Sequence, residues 1–443
     1  MARGGRRPAS PPQRALGLDF GTTNTVLAWA GTGSPALPIA FDAPGGRLVP
    51  FRSALCWWNE GDDDHPQVKG EAGPWALERF MEHAGDCRFI QSLKTFAASR
   101  LFEQTYVYGT AFRFEHLFSS FFRMLRGHAG AALEALPREL VVGRPVEYAG
   151  NRPDAALAMQ RYRDALAPFG FERIHPVYEP VAAAFFYAQS LERGATVLVA
   201  DFGGGTTDFS IVRFERGVRG LRAKALAHSG VGVAGDRFDY RLIERVVLPE
   251  LGLGTTYRSL GKRLEMPRSC FASFASWHEL SMMKGSRDFR DFRDVARYSD
   301  APEVVARFVG LVESDRGFAL YRAVSATKEA LSAAEVAPFR FDGPGFEIRA
   351  TVTRAQFESW IAPELEAIEA ALEAVMARSG LAPREVDRVF LTGGSSFVPA
   401  VRRMFDARFG AARVETGNEF VSIANGLATI GLREDLEDWV VRG

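Results

Sequence analysis

Residues 15–29 read ALGLDFGTTNTVLAW, and residues 196–212 read TVLVADFGGGTTDFSIV. Each is a pair of apolar, strand-like runs around a Gly-Thr-Thr turn, the pattern of a β-hairpin. Both carry Asp-Phe-Gly followed by Thr-Thr, so Asp19 and Asp201 hold matching positions. They lie too far apart for a solenoid repeat. The pattern instead predicts two related halves, each opening with the same device.

Outward from the hairpins the chain alternates. Residues 139–142 (ELVV) read as a strand ended by Gly143, Arg144 and Pro145. Residues 154–166 have helical spacing, 174–177 read as a short strand, and 179–191 as a helix with Pro180 in its first turn, where a missing N–H costs nothing. Beyond the second hairpin, 241–251 and 364–378 read as helices, the latter closed by Gly380. A strand at 386–391 and helices at 399–409 and 422–431 follow. Alternation of this kind predicts a layered α/β fold. Residues 254–315 are rich in Phe, Arg and Ser and have weak periodicity. Phe112, Phe114, Phe118, Phe121 and Phe122 are expected on the core face of a helix.

Composition narrows the function. Hydrophobic residues make up 47% of the 443, enough for a packed core, so wholesale disorder is excluded. Lys+Arg and Asp+Glu both total 54, which argues against a dedicated nucleic-acid binder. Cys56, Cys87 and Cys270 form no C-x-x-C pair, which argues against a disulfide framework or cysteine zinc site and for a reducing compartment. No apolar run is long enough to span a bilayer. Residues 1–14 are rich in Arg, Pro and Gly, have no apolar h-region, and read as a disordered basic tail rather than a signal peptide.

The two turns carry the chemistry. A phosphate needs converging N–H and O–H donors, and glycine lets the backbone approach it. The first turn offers Asp19, Gly21, Thr22 and Thr23. The second offers Asp201, Gly203, Gly204, Gly205, Thr206, Thr207 and Asp208. Two such tips facing each other would grip a polyphosphate from both sides, with the aspartates holding Mg²⁺ through its retained waters. Other motifs fall away. Gly230–Gly235 fits G-x-G-x-x-G but lacks an acid ending a second strand downstream. Gly261-Lys262 lacks the rest of a P-loop. Asp62, Asp63, Asp64 and His65 read as a solvated acidic loop. The seven histidines form no H-x-x-x-H pair, and no G-x-S-x-G elbow occurs.

These residues resemble a known group. DFGTTNT at 19–25 is similar to the first phosphate motif of the superfamily of sugar kinases, 70-kDa heat-shock chaperones and actin. VADFGGGTTDFS at 199–210 is similar to its second. YEPVAAAFFYA at 178–188, AGDRFD at 234–239, ATKEALS at 326–332 and FLTGGSSFVP at 390–399 resemble segments of the chaperone (DnaK) branch, in family order. Gly143, Arg144 and Pro145 make the chain most similar to divergent YegD-type chaperone-like proteins. The resemblance implies an actin-like, two-lobed α/β ATPase fold with duplicated ribonuclease-H-like subdomains and a central nucleotide cleft. Lobe I would span 15–195. Lobe II would span 196–431, with 240–320 as its smaller subdomain. Only residues 432–443 follow, so no peptide-binding domain is expected.

The family's ATPase machinery carries over position by position. Lys94, in SLKTFAAS, stands where the family has its catalytic lysine, whose charge would orient the attacking water and steady the γ-phosphate. Lysine is scarce here, occurring at 69, 94, 224, 262, 284 and 328 alone, so a lysine at each of two family positions carries weight. Glu179 and Asp201 would position the water and, with Asp19, hold Mg²⁺ through waters. Thr206 would contact the γ-phosphate. Nucleotide contacts are implied for Gly21, Thr22, Thr23, Gly203, Gly204, Gly205, Thr207, Gly235, Asp236, Gly393, Gly394, Ser395 and Phe397. Lys328 and Ser332 would reach the ribose and adenine edge. The chain departs from the family on the base side. Ser325 replaces a glutamate, Glu329 and Phe397 replace two adenine-stacking arginines, and Phe420 replaces an aspartate.

The implied function is a slowly hydrolysing, Mg-ATP-binding chaperone-like protein that uses ATP/ADP and Mg²⁺ in the cytoplasm. Its partners would be nucleotide and an unidentified protein partner or client, with neither nucleic acid nor membrane. A non-catalytic nucleotide sensor or scaffold and a small-molecule kinase are the alternatives.

Overall fold

In the computed structural model, the described residues are 14–442 apart from 44, 63–64, 84–85, 151, 218–219, 276–278, 281–282, 285, 315 and 418–420. The tail up to residue 13, Asp63, Asp64 and Phe420 therefore lie outside the described residues.

Both glycine-threonine hairpins form. Arg14–Phe20 pairs antiparallel with Asn24–Gly31, which continues to Ser34–Pro38. On its other side Arg14–Phe20 runs parallel to Glu139–Arg144, and that strand parallel to Arg173–Tyr178. The second half repeats this order. Ala195–Phe202 pairs antiparallel with Thr207–Gly217, which continues to Gly220–Val231. It also runs parallel to Arg388–Thr392, which is followed by Val414–Thr416. The chain thus builds two five-strand paths with one topology.

The outer face of the first sheet is covered by helices Phe114–Ala129 and Ala155–Leu166. Phe114, Phe118, Phe121 and Phe122 are fully buried there, whereas Phe112 sits on the short strand Thr110–Phe112. Helices Ala362–Ser379 and Pro399–Phe409 cover the outer face of the second sheet.

Between the sheets lie two helices that cross over. Glu179–Ala188 follows the last strand of the first sheet but packs on Ala195–Phe202 and Thr207–Gly217 of the second. Ser422–Gly431 follows the last strand of the second sheet but packs on the first. The resemblance implies a second lobe that includes residues 422–431; the helix there packs on the first sheet. Small residues permit it. A Cβ on Gly17 would stand 2.4 Å from the Ala424 carbonyl oxygen, and one on Gly426 would stand 1.8 Å from that of Ala182. Both contacts are backbone to backbone, and only glycine allows such approach.

Two further units stand beside the main sheets. In the first lobe, Val68–Ala72, Ala54–Asn59 and Cys87–Gln91 form a small antiparallel sheet, with helix Gly73–Glu82 against it. In the second, the described residues between 254 and 314 include a hairpin (Thr256–Ser259 with Lys262–Glu265) and helices such as Arg287–Ala296 and Pro302–Glu313. Phe271, Phe289, Phe292 and Phe308 carry this unit into the second-lobe core.

Candidate functional site

The period-2 alternation of a strand fixes where the two matched aspartates point. Leu16, Leu18 and Phe20 enter the first-lobe core, so Gly17 and Asp19 face inward toward the crossing helices. Leu198, Ala200 and Phe202 enter the second-lobe core, while Val197 and Val199 face those helices. Asp201 shares their side. Each aspartate therefore ends a first strand on its sheet's inner face.

The turns beyond them have the same closure. Gly21 N–H donates to the Asn24 carbonyl at 3.0 Å, and Gly203 N–H to the Thr206 carbonyl at 2.9 Å. The two turns also approach each other. A Cβ on Gly204 would lie 3.4 Å from Thr22 Cβ and 3.2 Å from Asp236 Oδ1. Gly205 faces Ala149 in the same way, at 3.1 Å. Thr23 is exposed. The Thr207 hydroxyl is engaged with the Val233 carbonyl at 2.7 Å, so it fixes the turn.

Behind the turns sits a cluster of acids around one lysine. Lys94, at the start of the four-residue helix Lys94–Ala97, donates to Glu179 Oε1 at 2.5 Å. Both side chains are nearly inaccessible, at 10% and 6% exposure. Glu179 opens its helix, where a carboxylate is favoured by the helix dipole. Gly143 makes room for it, since a Cβ there would lie 3.0 Å from Glu179 Cγ. Burial works against the Lys94 ammonium, but Glu179 and Asp19 overcome it and raise its pKa above the usual value.

The carboxylates shift the other way. Burial, then the charge of Glu179, pushes Asp19 up to about 7, with Lys94 opposing. Burial also pushes Asp201 well above the usual range, and Glu179, Asp19 and Asp208 add to it. Asp208 is pushed up to about 7, first by burial and then by Glu179. Its Oδ1 accepts from the Val146 and Glu147 N–H groups at 2.8 and 3.1 Å, a direct bond between the segment after Glu139–Arg144 and the second sheet. Its Oδ2 is buried with no hydrogen-bond partner. Four carboxylates thus share the charge of Lys94. Such a surplus of carboxylates around one lysine fits a divalent cation. Among the described residues, no three His, Cys, Asp or Glu side chains converge as direct ligands.

A second group gathers at the far side of the Gly203 turn. A Cβ on Gly235 would lie 2.9 Å from Ser395 Oγ, 3.5 Å from Lys328 Nζ and 3.6 Å from the Gly203 carbonyl oxygen. Asp236 N–H donates to the Gly204 carbonyl at 2.8 Å. Burial, then Asp239, pushes the Asp236 carboxyl up to about 6. Lys328 pairs with Asp239 at 2.8 Å, and Ser332 Oγ donates to the Lys328 carbonyl within their own helix at 3.2 Å. Gly393 has φ +85°, and a Cβ there would strike the Phe202 carbonyl oxygen at 2.0 Å. Gly394 is open around its Cα. Phe397 is 49% exposed, and Glu329 is also exposed. The phenyl ring is thus a surface group.

Sequence reasoning missed the bonds of Asp208 to the Val146 and Glu147 N–H groups and the pairing of Asp239 with Lys328, although both acids lie in quoted motifs. It gave no signal for Arg161. That buried guanidinium donates to the carbonyls of Phe96 (2.7 Å), Ala97 (3.0 Å), Ser99 (3.0 Å) and Phe102 (2.7 Å). It therefore ties down the C-terminal side of the helix that begins with Lys94.

Comparison with known proteins gives a consistent picture. A family model described as "Hsp70 protein" matches residues 104–249 and 316–432. These segments include Glu179, Asp201, Asp208, Asp236, Lys328 and Ser395, while Asp19 and Lys94 precede them. A chaperone protein HscA homolog from Bordetella petrii is 26% identical over 99% of this chain and 62% of its own length. A chaperone protein DnaK from Deinococcus deserti is 23% identical over 94% of this chain and 59% of its own. The chain spans about three fifths of the length of these relatives.

Proposed function

The chain belongs to the Hsp70 family, and from that premise we propose that it binds Mg-ATP and Mg-ADP between its two matched turns and hydrolyses ATP slowly, as a chaperone-like protein acting on a protein partner or client in the cytoplasm. The whole follows an actin-like, two-lobed plan in which the repeated sheets are the lobes and the facing turns line the cleft. The observation that carries the reading is the apposition of Thr22 and Gly204 above a buried cluster of Asp19, Glu179, Asp201 and Asp208 around Lys94.

In this reading the amides and hydroxyls at Gly21, Thr22, Thr23, Gly203, Gly204, Gly205 and Thr206 bind the phosphates from both sides. Asp19, Glu179 and Asp201 would hold Mg²⁺, which would supply charge neutralisation at the phosphates. Lys94 lies against Glu179, where its cation steadies charge that develops on the transferred phosphoryl group. Glu179 and Asp201 orient the attacking water. Gly235, Asp236, Lys328, Ser332, Gly393, Gly394 and Ser395 form the nucleoside side. Phe397 offers one stacking face to the base, and Glu329 cannot offer a second.

Two measurements on nucleotide-free protein test this. Millimolar Mg-ATP and Mg-ADP should each raise the thermal midpoint, since a ligand that binds only the folded state stabilises it. Absence of any shift refutes nucleotide binding. Release of phosphate from ATP should exceed the uncatalysed rate. Binding without release favours a nucleotide sensor instead.

A further inference from the structure

The small first-lobe sheet pairs Cys87–Gln91 antiparallel with Ala54–Asn59, so that Cys56 stands opposite Phe89 and Trp58 opposite Cys87. Cys56 and Cys87 are therefore diagonal neighbours on one face of the sheet. That face enters a cluster with Ala54, Trp58, Ala76 and Phe89, closed by Phe318 from helix Gly317–Ala333 of the second lobe. Phe318 meets Phe89 and Phe80 edge to face at 6.0 and 5.7 Å. The cysteines thus lie at a seam between the lobes.

Their environments differ. Cys56 has no exposed surface, whereas Cys87 is half-buried at the rim. The two thiols hydrogen-bond each other, which, with burial, pushes the Cys56 thiol far up, while the Arg79 charge acts in the opposite direction. The third cysteine, Cys270, is buried elsewhere, with its Sγ donating to the Asp288 carbonyl at 3.4 Å. No cysteine is in a disulfide.

We propose that Cys56 and Cys87 form a reversible thiol–disulfide site that exchanges with small-molecule disulfides such as oxidised glutathione. The Cys87 thiolate, the more accessible nucleophile, attacks one sulfur of the disulfide, whose S–S bond breaks to release one glutathione thiolate. The Cys56 thiol then attacks Cys87 Sγ in the mixed disulfide as its proton passes to the departing glutathione thiolate. The second glutathione leaves, and the Cys56–Cys87 bond closes. Two electrons and two protons pass to the oxidant, giving two glutathione thiols. The second step is intramolecular between adjacent strands, so it outpaces attack by a second free thiol. Excess reduced glutathione runs both steps backwards. The inference does not depend on the nucleotide reading.

The test incubates the full chain with oxidised glutathione, blocks remaining thiols with iodoacetamide, and maps peptides without reduction. The expected products are a peptide pair joined through Cys56 and Cys87, an alkylated Cys270, and recovery of both thiols after dithiothreitol. Cys56→Ala should accumulate glutathione on Cys87. Cys87→Ser, altered at the rim rather than in the core, should leave Cys56 as an unmodified thiol. The proposal is overturned if wild-type protein keeps glutathione on Cys87 with Cys56 still reduced, if both thiols survive unmodified, or if Cys270 is oxidised first.

Discussion

Replacing Asp208 by asparagine removes one buried charge while keeping the Oδ1 that accepts from Val146 and Glu147. The Asp208 carboxyl titrates near 7 in the folded protein against an ordinary value of 3.8. Between those values the folded protein holds the proton and the unfolded chain does not. Stability from this group is therefore full below the lower value, falls as pH rises, and is gone above about 7. At about 1.4 kcal/mol per pH unit, the loss for this one group between pH 5 and pH 8 comes to about 2–3 kcal/mol. Asp19 titrates in the same range and faces the same Glu179, so the variant removes only part of the total slope. The assay is urea unfolding of EDTA-treated, nucleotide-free protein at both pH values. Wild type should unfold at distinctly lower urea at the higher pH. Asp208→Asn should lose about 2 kcal/mol less over the same range. Equal losses in the two proteins would refute the reasoning, because Asp208 would then be ionised without cost in the folded state.

Lys94→Ala should lower ATP turnover by about a hundredfold or more while Mg-ATP still shifts the thermal midpoint. Normal hydrolysis would remove Lys94 from the reaction. Phe397→Ala should fold normally, because the ring is half exposed, and should bind both ATP and GTP about tenfold more weakly, or about 1.4 kcal/mol, by titration calorimetry. Unchanged affinity would mean that the base is held elsewhere. Arg161→Met strips donors from three buried carbonyls and one part-buried one and should cost about 3 kcal/mol or more by urea unfolding, with turnover falling as the Lys94 helix loosens. Arg161→Lys should recover part of both, and a methionine variant as stable as wild type would contradict this account.

The hairpins, the inward aspartates and the paired turns were legible because each follows from local rules. Alternation assigns faces, and Gly-Thr-Thr between apolar runs marks a tip. The helices 399–409 and 422–431 match the expected bounds for similar reasons, with Pro399 opening one and a run of small residues filling the other. What local rules do not give is the destination of a helix that is apolar on all sides. EPVAAAFFYA and SIANGLATIG fit either sheet by composition. Their placement depends on Gly17 and Gly426 permitting backbone contact with distant partners. Arg161 was invisible for a related reason. On its own helix it reads as a solvent-facing residue, and its acceptors come from the loop at 96–102, which the helix pattern does not mention. In residues 254–315, phenylalanines among arginines blurred the period that their burial later made plain.

The crossing of Glu179–Ala188 and Ser422–Gly431 bears on how the protein is made. A ribosome delivers the first sheet by residue 178, but the helix that covers its inner face is not complete until residue 431. At roughly 5–20 residues per second, that face waits on the order of 10–50 s with apolar surface uncovered. The helix Glu179–Ala188 emerges early and, in turn, has nothing to cover until the second sheet has been synthesised. Neither sheet is covered until both crossing helices are made, so termination between residues 195 and 421 leaves the first sheet's inner face bare. During its own synthesis the nascent chain presents the kind of exposed apolar surface that chaperones bind.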